Sequence, residues 1–187
     1  MDLESLSDEE LVKLFVEGDT DAFTPLVRRH EDRIFALAHK ITRNRSDAFD
    51  VVQETFMSVL RQASSFKGEA SFGTWVYRIA VNASNDVLRR AMRVPVPQEH
   101  LPERASAPRE LEDAVALRLD VSGALVALPD EYRGAVALHD LAGVPYEEIA
   151  RITRVPVGTV KSRISRGRRL LAGLVEQPVE AKTSKDE

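Results

Sequence analysis

Residues 146–169, YEEIARITRVPVGTVKSRISRGRR, contain two short helical patterns on either side of a tight turn. Pro145 stands where the first helix would begin. Pro156 interrupts the chain between the patterns, because the residue before a proline is pushed out of the helical region. From residue 151 to residue 175 the chain has seven basic residues and no acidic one. The stretch predicts a helix-turn-helix whose second helix is strongly positive.

On a helical wheel at about 100° per residue, the second helix separates into two faces. Its apolar face holds Val157, Val160, Ile164 and Leu171, and its opposite face holds Ser162, Ser165, Arg166 and Arg169. Arginine can donate two hydrogen bonds to guanine, and serine can bond to bases or phosphates, so the second face suits a DNA major groove. The alternative is an ordinary solvated amphipathic helix. Solvated faces usually mix charges of both signs, and we therefore favour DNA binding.

The composition allows one ordinary domain or two small ones in 187 residues. With 43% hydrophobic and 30% charged residues, the balance is that of a globular protein. The absence of cysteine excludes disulfides and thiolate metal sites. The acidic N-terminus lacks an apolar signal core, and no later run has the length needed to span a bilayer. We expect a soluble cytoplasmic protein.

Charge is distributed unevenly along the chain, although the net charge is only -4. Residues 1–32 carry ten acids and three Lys or Arg, while residues 61–93 carry six Lys or Arg and two acids. A chain polarised in this way can meet DNA with some surfaces and a basic protein partner with others.

The first 93 residues predict four helices. Ser7 and Glu10 stand at capping-box spacing before the first helix, and Gly18 follows at a natural helix end. The second helix covers residues 22–42. Ser46 is the expected N-cap of a third helix from residue 47 to about 62, whose outward face holds Asp50, Gln53, Glu54 and Met57.

The fourth predicted helix runs from about Phe72 to Arg93. Its apolar stripe consists of Phe72, Trp75, Val76, Ile79, Ala80 and Ala83, whereas Arg78, Asn82, Asn85 and Arg89 lie off that stripe. Trp75 could either pack in the core or contact DNA. Its position on the apolar stripe favours packing in the core. Phe66 lies in the polar loop before this helix, which favours contact with DNA.

The remainder of the chain predicts a second helical domain. Residues 94–112 hold four of the nine prolines and read as an extended linker. Helices are expected near 113–127 and 130–140, before the helix-turn-helix, and a disordered tail at 176–187. The predicted fold is all-α: two small helical domains, 1–93 and 113–175, joined by a flexible Pro-rich linker, with the helix-turn-helix in the second. Such a linker would let the domains dock on distant sites of one large partner.

Three motifs stand in the order found in one known family. They are DAFDVVQETF at 47–56, SFGTWVYRIAVN at 71–82, and LPDEYRGAVALHDLAGVPYEEIARITRVPVGTVKSRISRGRRLL at 128–171. The chain resembles bacterial sigma factors of the extracytoplasmic-function (ECF) type, which are minimal members of the sigma-70 family. The resemblance implies core RNA polymerase and promoter DNA as partners, with a double-stranded −35 element and a single-stranded −10 element. It also suggests control by an anti-sigma factor.

The resemblance implies roles for particular residues. The expected polymerase-binding residues are Asp50, Gln53, Glu54 and Met57. The expected −10 contacts are Phe66, Lys67, Ser71, Phe72, Arg78 and Asn82. The expected −35 contacts are Lys161, Ser162, Ser165, Arg166 and Arg169, with Arg154, Arg168 and Arg169 placed to bind phosphates. Phe49 departs from the family pattern, in which an acidic residue is common.

Two other function classes compete with this interpretation. A stand-alone helix-turn-helix regulator would bind a palindromic site as a dimer, but no coiled-coil or dimer stripe is visible. An enzyme would need a catalytic constellation, yet the four histidines (His30, His39, His100 and His139) are scattered, and no phosphate-cradling loop or nucleophile motif is present. We expect no catalysis, no metal and no cofactor.

Overall fold

The computed structural model describes residues 2–93 and 123–175, and within these ranges the chain forms helices and turns without a β-strand. The predicted linker at 94–112, the start of the helix predicted at 113–127 and the predicted tail at 176–187 lie outside the described residues. The all-α prediction is confirmed for the described ranges.

The first domain contains four helices, which match the four predicted ones. They are α1 (Asp8–Val16), α2 (Phe23–Thr42), α3 (Arg45–Gln62) and α4 (Phe72–Arg93). Short 3-10 turns at Leu3–Ser5, Thr20–Ala22 and Ala63–Ser65 complete the connections. α2, α3 and α4 pack on one another around a core that includes Leu26, Ile34, Ile41, Val59 and Val76.

Helix capping in this domain follows the sequence at α1 and differs from the prediction at α3. Ser7 Oγ accepts from the Glu10 amide at 3.3 Å, and Glu10 accepts from the Ser7 amide at 2.8 Å. These hydrogen bonds from Ser7 hold the pKa of Glu10 below its usual range. At α3 the N-cap is Asn44 rather than Ser46, because the Asn44 side chain accepts from the Ser46 and Asp47 amides at 2.8 and 3.1 Å. α3 therefore begins two residues earlier than predicted.

The second domain contains α5 (123–127), α6 (Asp130–Val136), α7 (Tyr146–Thr153) and α8 (Val157–Val175). α6 continues into one wider π-helical turn, Ala137–Leu141. The predicted boundary at Pro129 is confirmed, since α6 begins at the next residue. α7 and α8 are the predicted helix-turn-helix, and Arg154 between them adopts a left-handed conformation with φ 56°.

The two domains pack against each other along α4. Thr74, Val81 and Asn85 lie off the apolar stripe of α4 and are nevertheless buried, because α6 and α7 cover that side of the helix. The hydrophobic core is accordingly continuous from the first domain into the second, reaching Ile149 and Ile164. In this structure the helices of residues 2–93 and those of residues 123–175 therefore lie side by side.

Gly167 sets the distance between α6 and α8. A Cβ added at Gly167 would lie 2.6 Å from Cγ2 of Val136, a β-branched side chain with little rotamer freedom. The absence of a side chain at this position lets α8 approach α6 closely.

We expect Gly167→Ala to lower the free energy of unfolding by about 1–3 kcal/mol, the usual effect of overpacking a core. Urea denaturation followed by circular dichroism measures this change. The matched control is Gly173→Ala in the same helix, where a Cβ meets nothing within 4 Å; there we expect stabilisation by about 0.5–1 kcal/mol. Equal effects at both positions would contradict the close approach of α6 and α8.

Candidate docking and DNA-binding surfaces

α8 presents one buried face and one exposed face, as its sequence predicts. Val160, Ile164 and Gly167 are on the buried face, which packs on the rest of the second domain. The five predicted −35 residues are all exposed: Lys161, Ser162, Ser165, Arg166 and Arg169. Arg166 and Arg169 form no ion pair with any described residue. The helix therefore offers two guanidinium groups and two hydroxyls to solvent on one side.

Two features of this surface were not visible in the sequence. Arg168, predicted to bind phosphate, instead donates to both carboxylate oxygens of Asp140, from Nε at 3.0 Å and from Nη2. This carboxylate raises the pKa of Arg168 above its usual range. Lys161 lies over the ring of Tyr146, with Nζ 5.7 Å from the ring centroid. Of the four arginines of α8, Arg166 and Arg169 are therefore the two that form no ion pair with a described residue.

α3 presents a second exposed surface, formed by the predicted polymerase-binding residues. Asp50, Gln53, Glu54 and Met57 are all exposed, and Met57 shows 46% of its surface although it is apolar. These residues line a shallow groove of about 420 Å³ whose far wall is α4, with Arg90 at its edge. Glu54 also accepts from Arg61 at 2.7 Å. The surface combines acids, an amide and a thioether around one groove.

Phe49 extends this surface with an aromatic cluster. It is 53% exposed, and its ring centroid lies 4.7 Å from that of Phe35 on α2. The guanidinium of Arg45 lies over both rings, at 5.4 Å from Phe49 and 5.6 Å from Phe35. Phe49 therefore has a packing partner on α2 at the position where an acid was expected.

The predicted −10 residues divide into buried and accessible ones. Phe72 is fully buried, so the expectation that its side chain contacts DNA does not hold in this structure; it packs between Phe66 and Trp75. Trp75 is buried as the apolar pattern indicated. Phe66 is half-buried, with its ring 5.5 Å from Trp75. Lys67 and Asn82 are exposed.

Ser71 has a structural role as well as an exposed position. Its Oγ accepts from the Thr74 amide at 3.1 Å and donates to Thr74 Oγ1 at 2.9 Å, which caps the start of α4. The loop before α4 is thereby fixed relative to the helix.

Arg78 lies between the two domains. Its Nη1 donates to the Ile152 carbonyl oxygen at 2.7 Å, while its Nε is buried without a partner. Burial, and next the positive charge of Arg154, lower the pKa of Arg78. A cavity of about 190 Å³ beside it is lined by four cations, Lys67, Arg78, Arg151 and Arg154, and by only one acid, Glu69.

Arg133 is a buried cation that the sequence analysis did not single out. It is 3% exposed and donates to the carbonyl oxygens of Leu125, Val126 and Leu128, to Asp130 Oδ1 at 2.8 Å and to Asn85 Oδ1 at 2.8 Å. Leu125 and Val126 lie in the last turn of α5 and Leu128 directly follows it, so Arg133 donates to carbonyls at the end of that helix. The sequence did contain one signal for this burial: Arg133 stands three residues before Val136 and therefore on the buried side of α6.

Comparison with known proteins assigns the chain to a family. The Sigma-70 region 2 family matches residues 26–94, and the Sigma-70, region 4 family matches residues 118–171. The ECF RNA polymerase sigma factor SigM of Mycobacterium tuberculosis is 41% identical over 170 residues, which cover 90% of this chain and 85% of that protein. The ECF RNA polymerase sigma-E factor of Haemophilus influenzae is 35% identical over 185 residues, covering 92% and 97%. This chain belongs to the ECF sigma factors.

A solved structure has the same fold as this sigma factor. The sigma factor RpoE in complex with the anti-sigma factor NepR from Bartonella quintana superposes with a TM-score of 0.57 and 25% identity, over 87% of this chain and 99% of that one. The family matches divide the sigma factor as the structure does, since region 2 ends with α4 and region 4 contains the helix-turn-helix.

The histidines of the sigma factor that the structure describes have structural neighbours. His30 Nε2 lies 2.6 Å from an Asp8 carboxylate oxygen, His39 stacks on Phe35, and His139 stacks on Tyr146. His100 lies outside the described residues. In the described ranges, no cluster of three or more potential ligands is placed to hold a metal ion. No helix there has both the length and the apolar character that crossing a bilayer requires.

We expect Arg133→Met to lower the free energy of unfolding by about 2–4 kcal/mol, because it leaves several buried acceptors without a donor. The control is Arg163→Met in the same domain, which removes a partly exposed pair with Glu131 at 3.1 Å and should cost less than about 1 kcal/mol. Urea denaturation of both variants measures the difference. If Arg133→Met lowered the free energy of unfolding by no more than Arg163→Met does, the buried hydrogen-bond network would contribute little to stability.

Proposed function

We propose that this chain is a promoter-specificity subunit that binds core RNA polymerase through α3, reads the −35 element with α8 and engages the −10 element with the loop and helix from Phe66 to Asn82. The observation that carries the proposal is the exposed face of α8, where arginines and serines stand opposite the buried Val160 and Ile164. The proposed role is that of a binding subunit, and the chemistry of RNA synthesis belongs to the polymerase.

Recognition of the −35 element rests on the geometry of α8. A helix whose buried side is held by a small core can lie in the major groove with its free side against base edges. Arg166 is unpaired within the described chain and lies in the middle of the exposed face, which suits bidentate donation to guanine. Arg169 lies about one turn further along and suits a phosphate contact. Ser162 and Ser165 supply hydroxyls between the two.

Docking on the polymerase rests on the surface of α3. Asp50 and Glu54 stand one helical turn apart and can accept charge-assisted hydrogen bonds from arginines of a partner helix. Met57 adds a flexible apolar contact beside them. An exposed apolar side chain within an acidic groove fits a basic, amphipathic partner helix better than it fits solvent.

Contact with the −10 element rests on fewer residues than the sequence suggested. Lys67 and Arg78 are cations beside the half-buried ring of Phe66, and Asn82 offers an amide one turn further along α4. An aromatic ring with neighbouring cations is the combination that binds an unpaired base and its phosphates. Phe72 acts by holding Phe66 and Trp75 in place.

An anti-sigma protein is a further proposed partner, supported by the likeness to a sigma factor solved with its anti-sigma factor. The exposed groove of α3 is the surface that such a partner would cover to prevent polymerase binding. The proposed place of action is the cytoplasm, where the polymerase works.

We expect Asp50→Lys/Glu54→Lys to abolish co-elution with bacterial core RNA polymerase in size-exclusion chromatography, because the acids would be replaced by charges that repel partner arginines. The control is Glu17→Lys/Asp21→Lys, which makes the same change in charge on exposed residues between α1 and α2. That control should co-elute like the wild type. If both variants co-eluted with the polymerase, Asp50 and Glu54 of α3 would not belong to the docking surface. Failure of the wild type to co-elute would favour a stand-alone regulator.

We expect Arg166→Ala and Arg169→Ala to weaken promoter binding in different ways. Loss of Arg166 should reduce discrimination at one base pair of the −35 element by about 1–3 kcal/mol. Loss of Arg169 should weaken binding to all sequences alike and lower the slope of log K against log salt by about one. Both are measured by fluorescence anisotropy of the holoenzyme on randomised −35 duplexes at several salt concentrations. If the wild type and Arg166→Ala discriminated equally between −35 sequences, Arg166 would not take part in base recognition.

A further inference from the structure

A small cavity lies where the loop before α4 meets the end of α7. Its volume is about 190 Å³, and its wall combines residues of the segment 65–70 with Trp75, Arg78, Arg151, Ile152 and Arg154. Such a volume can hold several water molecules, each of which takes up about 30 Å³ in the liquid. It is smaller than the roughly 300–1,000 Å³ of pockets that enclose a drug-sized ligand. The cavity therefore suits a small ligand.

The wall of this cavity is strongly positive. Lys67 comes from the loop, Arg78 from α4, and Arg151 and Arg154 from the end of α7, whereas Glu69 is the one acid among the lining residues. Within the ranges that the structure describes, none of these four cations forms an ion pair. The wall therefore carries an excess of three positive charges that no described carboxylate neutralises.

Arg78 is the least exposed of the four cations. Its Nη1 donates to the Ile152 carbonyl oxygen at 2.7 Å, while its Nε is buried without an acceptor. Burial, and next the positive charge of Arg154, lower the pKa of Arg78. Both effects disfavour a charge that a guanidinium nevertheless keeps at neutral pH. An anion in the cavity would offset the repulsion between these two arginines.

Phosphate is the anion whose chemistry fits this wall. Its oxygens can accept hydrogen bonds from several donors at once, and the planar guanidinium of arginine matches them in pairs. Three of the four cations here are arginines, and they come from two different helices or helix ends. A diphosphate group carries more oxygens and more charge than a single phosphate. It can therefore contact Lys67 of the loop and the arginines of α7 together.

We propose that this cavity binds a small phosphate anion, a diphosphate group in particular, between Lys67, Arg78, Arg151 and Arg154. The bound anion would link the loop before α4 to the end of α7. Two sources can supply the group: inorganic diphosphate, and the phosphate tail of a free nucleotide whose nucleoside would stay outside a cavity of this size. The site goes beyond the proposed promoter contacts, which give no role to Arg151, and it does not depend on them.

The site can be tested on the full chain without polymerase or DNA. Isothermal titration calorimetry with inorganic diphosphate, at an ionic strength kept constant with chloride, measures the dissociation constant. Trp75 supplies a local readout, because it is the chain's single tryptophan and lines the cavity. We expect the wild type to bind diphosphate more tightly than monophosphate, and the fluorescence of Trp75 to change with the same midpoint as the heat.

Two variants remove cations from opposite sides of the cavity. Arg151→Gln/Arg154→Asn should raise the dissociation constant for diphosphate at least about tenfold, because it removes two charge-assisted donors. Asparagine suits position 154, where the backbone is left-handed with φ 56°. Lys67→Gln should raise the constant by about three- to tenfold. All three residues are exposed, so we expect the variants to fold, which circular dichroism checks.

The matched control is Lys13→Gln/Arg28→Gln. It removes two positive charges from exposed residues of α1 and α2 that do not line the cavity. This control has the same net charge as the α7 double variant and should bind diphosphate like the wild type. It therefore separates a defined site from a general attraction between phosphate and basic surface residues.

A comparison of ATP with inorganic triphosphate, both without magnesium, distinguishes the two sources. The two ligands carry the same phosphate chain and differ in the nucleoside. Equal affinities would show that the phosphates alone are recognised and would favour the inorganic anion. Tighter binding of ATP would show that the nucleoside adds a contact outside the cavity and would favour a nucleotide. Either result supports the site, provided that the α7 variant weakens binding of both ligands.

Three results would overturn the proposal. The first is no binding of diphosphate by the wild type, as expected if water alone solvates the four cations. The second is an unchanged dissociation constant in Arg151→Gln/Arg154→Asn or in Lys67→Gln. The third is an equal loss of affinity in the α7 variant and in the control. None of these results bears on polymerase binding, and failure of the wild type to co-elute with polymerase would leave the anion site untouched.

Discussion

Burial of α4 from two sides is the constraint on which the described structure depends. One side of this helix is apolar and completes the core of the first domain, through Phe72, Val76 and Ala80. The other side carries polar residues on either side of the apolar Val81, and it is buried because α6 and α7 lie on it. Hydrogen bonds of Thr74, Arg78 and Asn85 therefore accompany a hydrophobic core that continues into the second domain.

The basic residues of the chain serve different purposes according to their burial. Arg166 and Arg169 on α8 are exposed and form no ion pair with a described residue, whereas Arg168 is bonded to Asp140 and Arg133 is buried. Arg78 is intermediate, because it is half-buried between domains and close to Arg154. A net charge of -4 is compatible with DNA binding for this reason. Under the proposed function, a duplex would meet the local surface of α8 and not the average of the chain.

Much of the fold, and the exposure of the predicted faces of α3 and α8, could be predicted from sequence. Helical periodicity identified the apolar stripes of α4 and α8, and the capping box at Ser7 marked the start of α1, because these signals depend on residues within one turn of each other. The N-cap of α3 was misplaced by two residues, since Asn44 and Ser46 are both good caps and only the backbone decides between them. Phe72 was given a DNA contact because its motif position could not reveal that Phe66 and Trp75 enclose it.

The sequence by itself determined which residues share a helix face: the guanidinium and hydroxyl face of α8, the acidic face of α3 and the polar side of α4. It did so because side-chain direction in a helix repeats every 3.6 residues and needs no information from elsewhere in the chain. Only the tertiary structure decided which of those faces are open. The side of α4 with Arg78 and Asn85 is covered through contacts with Ile152 and Arg133, residues 48 to 74 positions away in the chain. Contacts at that separation depend on how whole helices pack, and no local pattern encodes them.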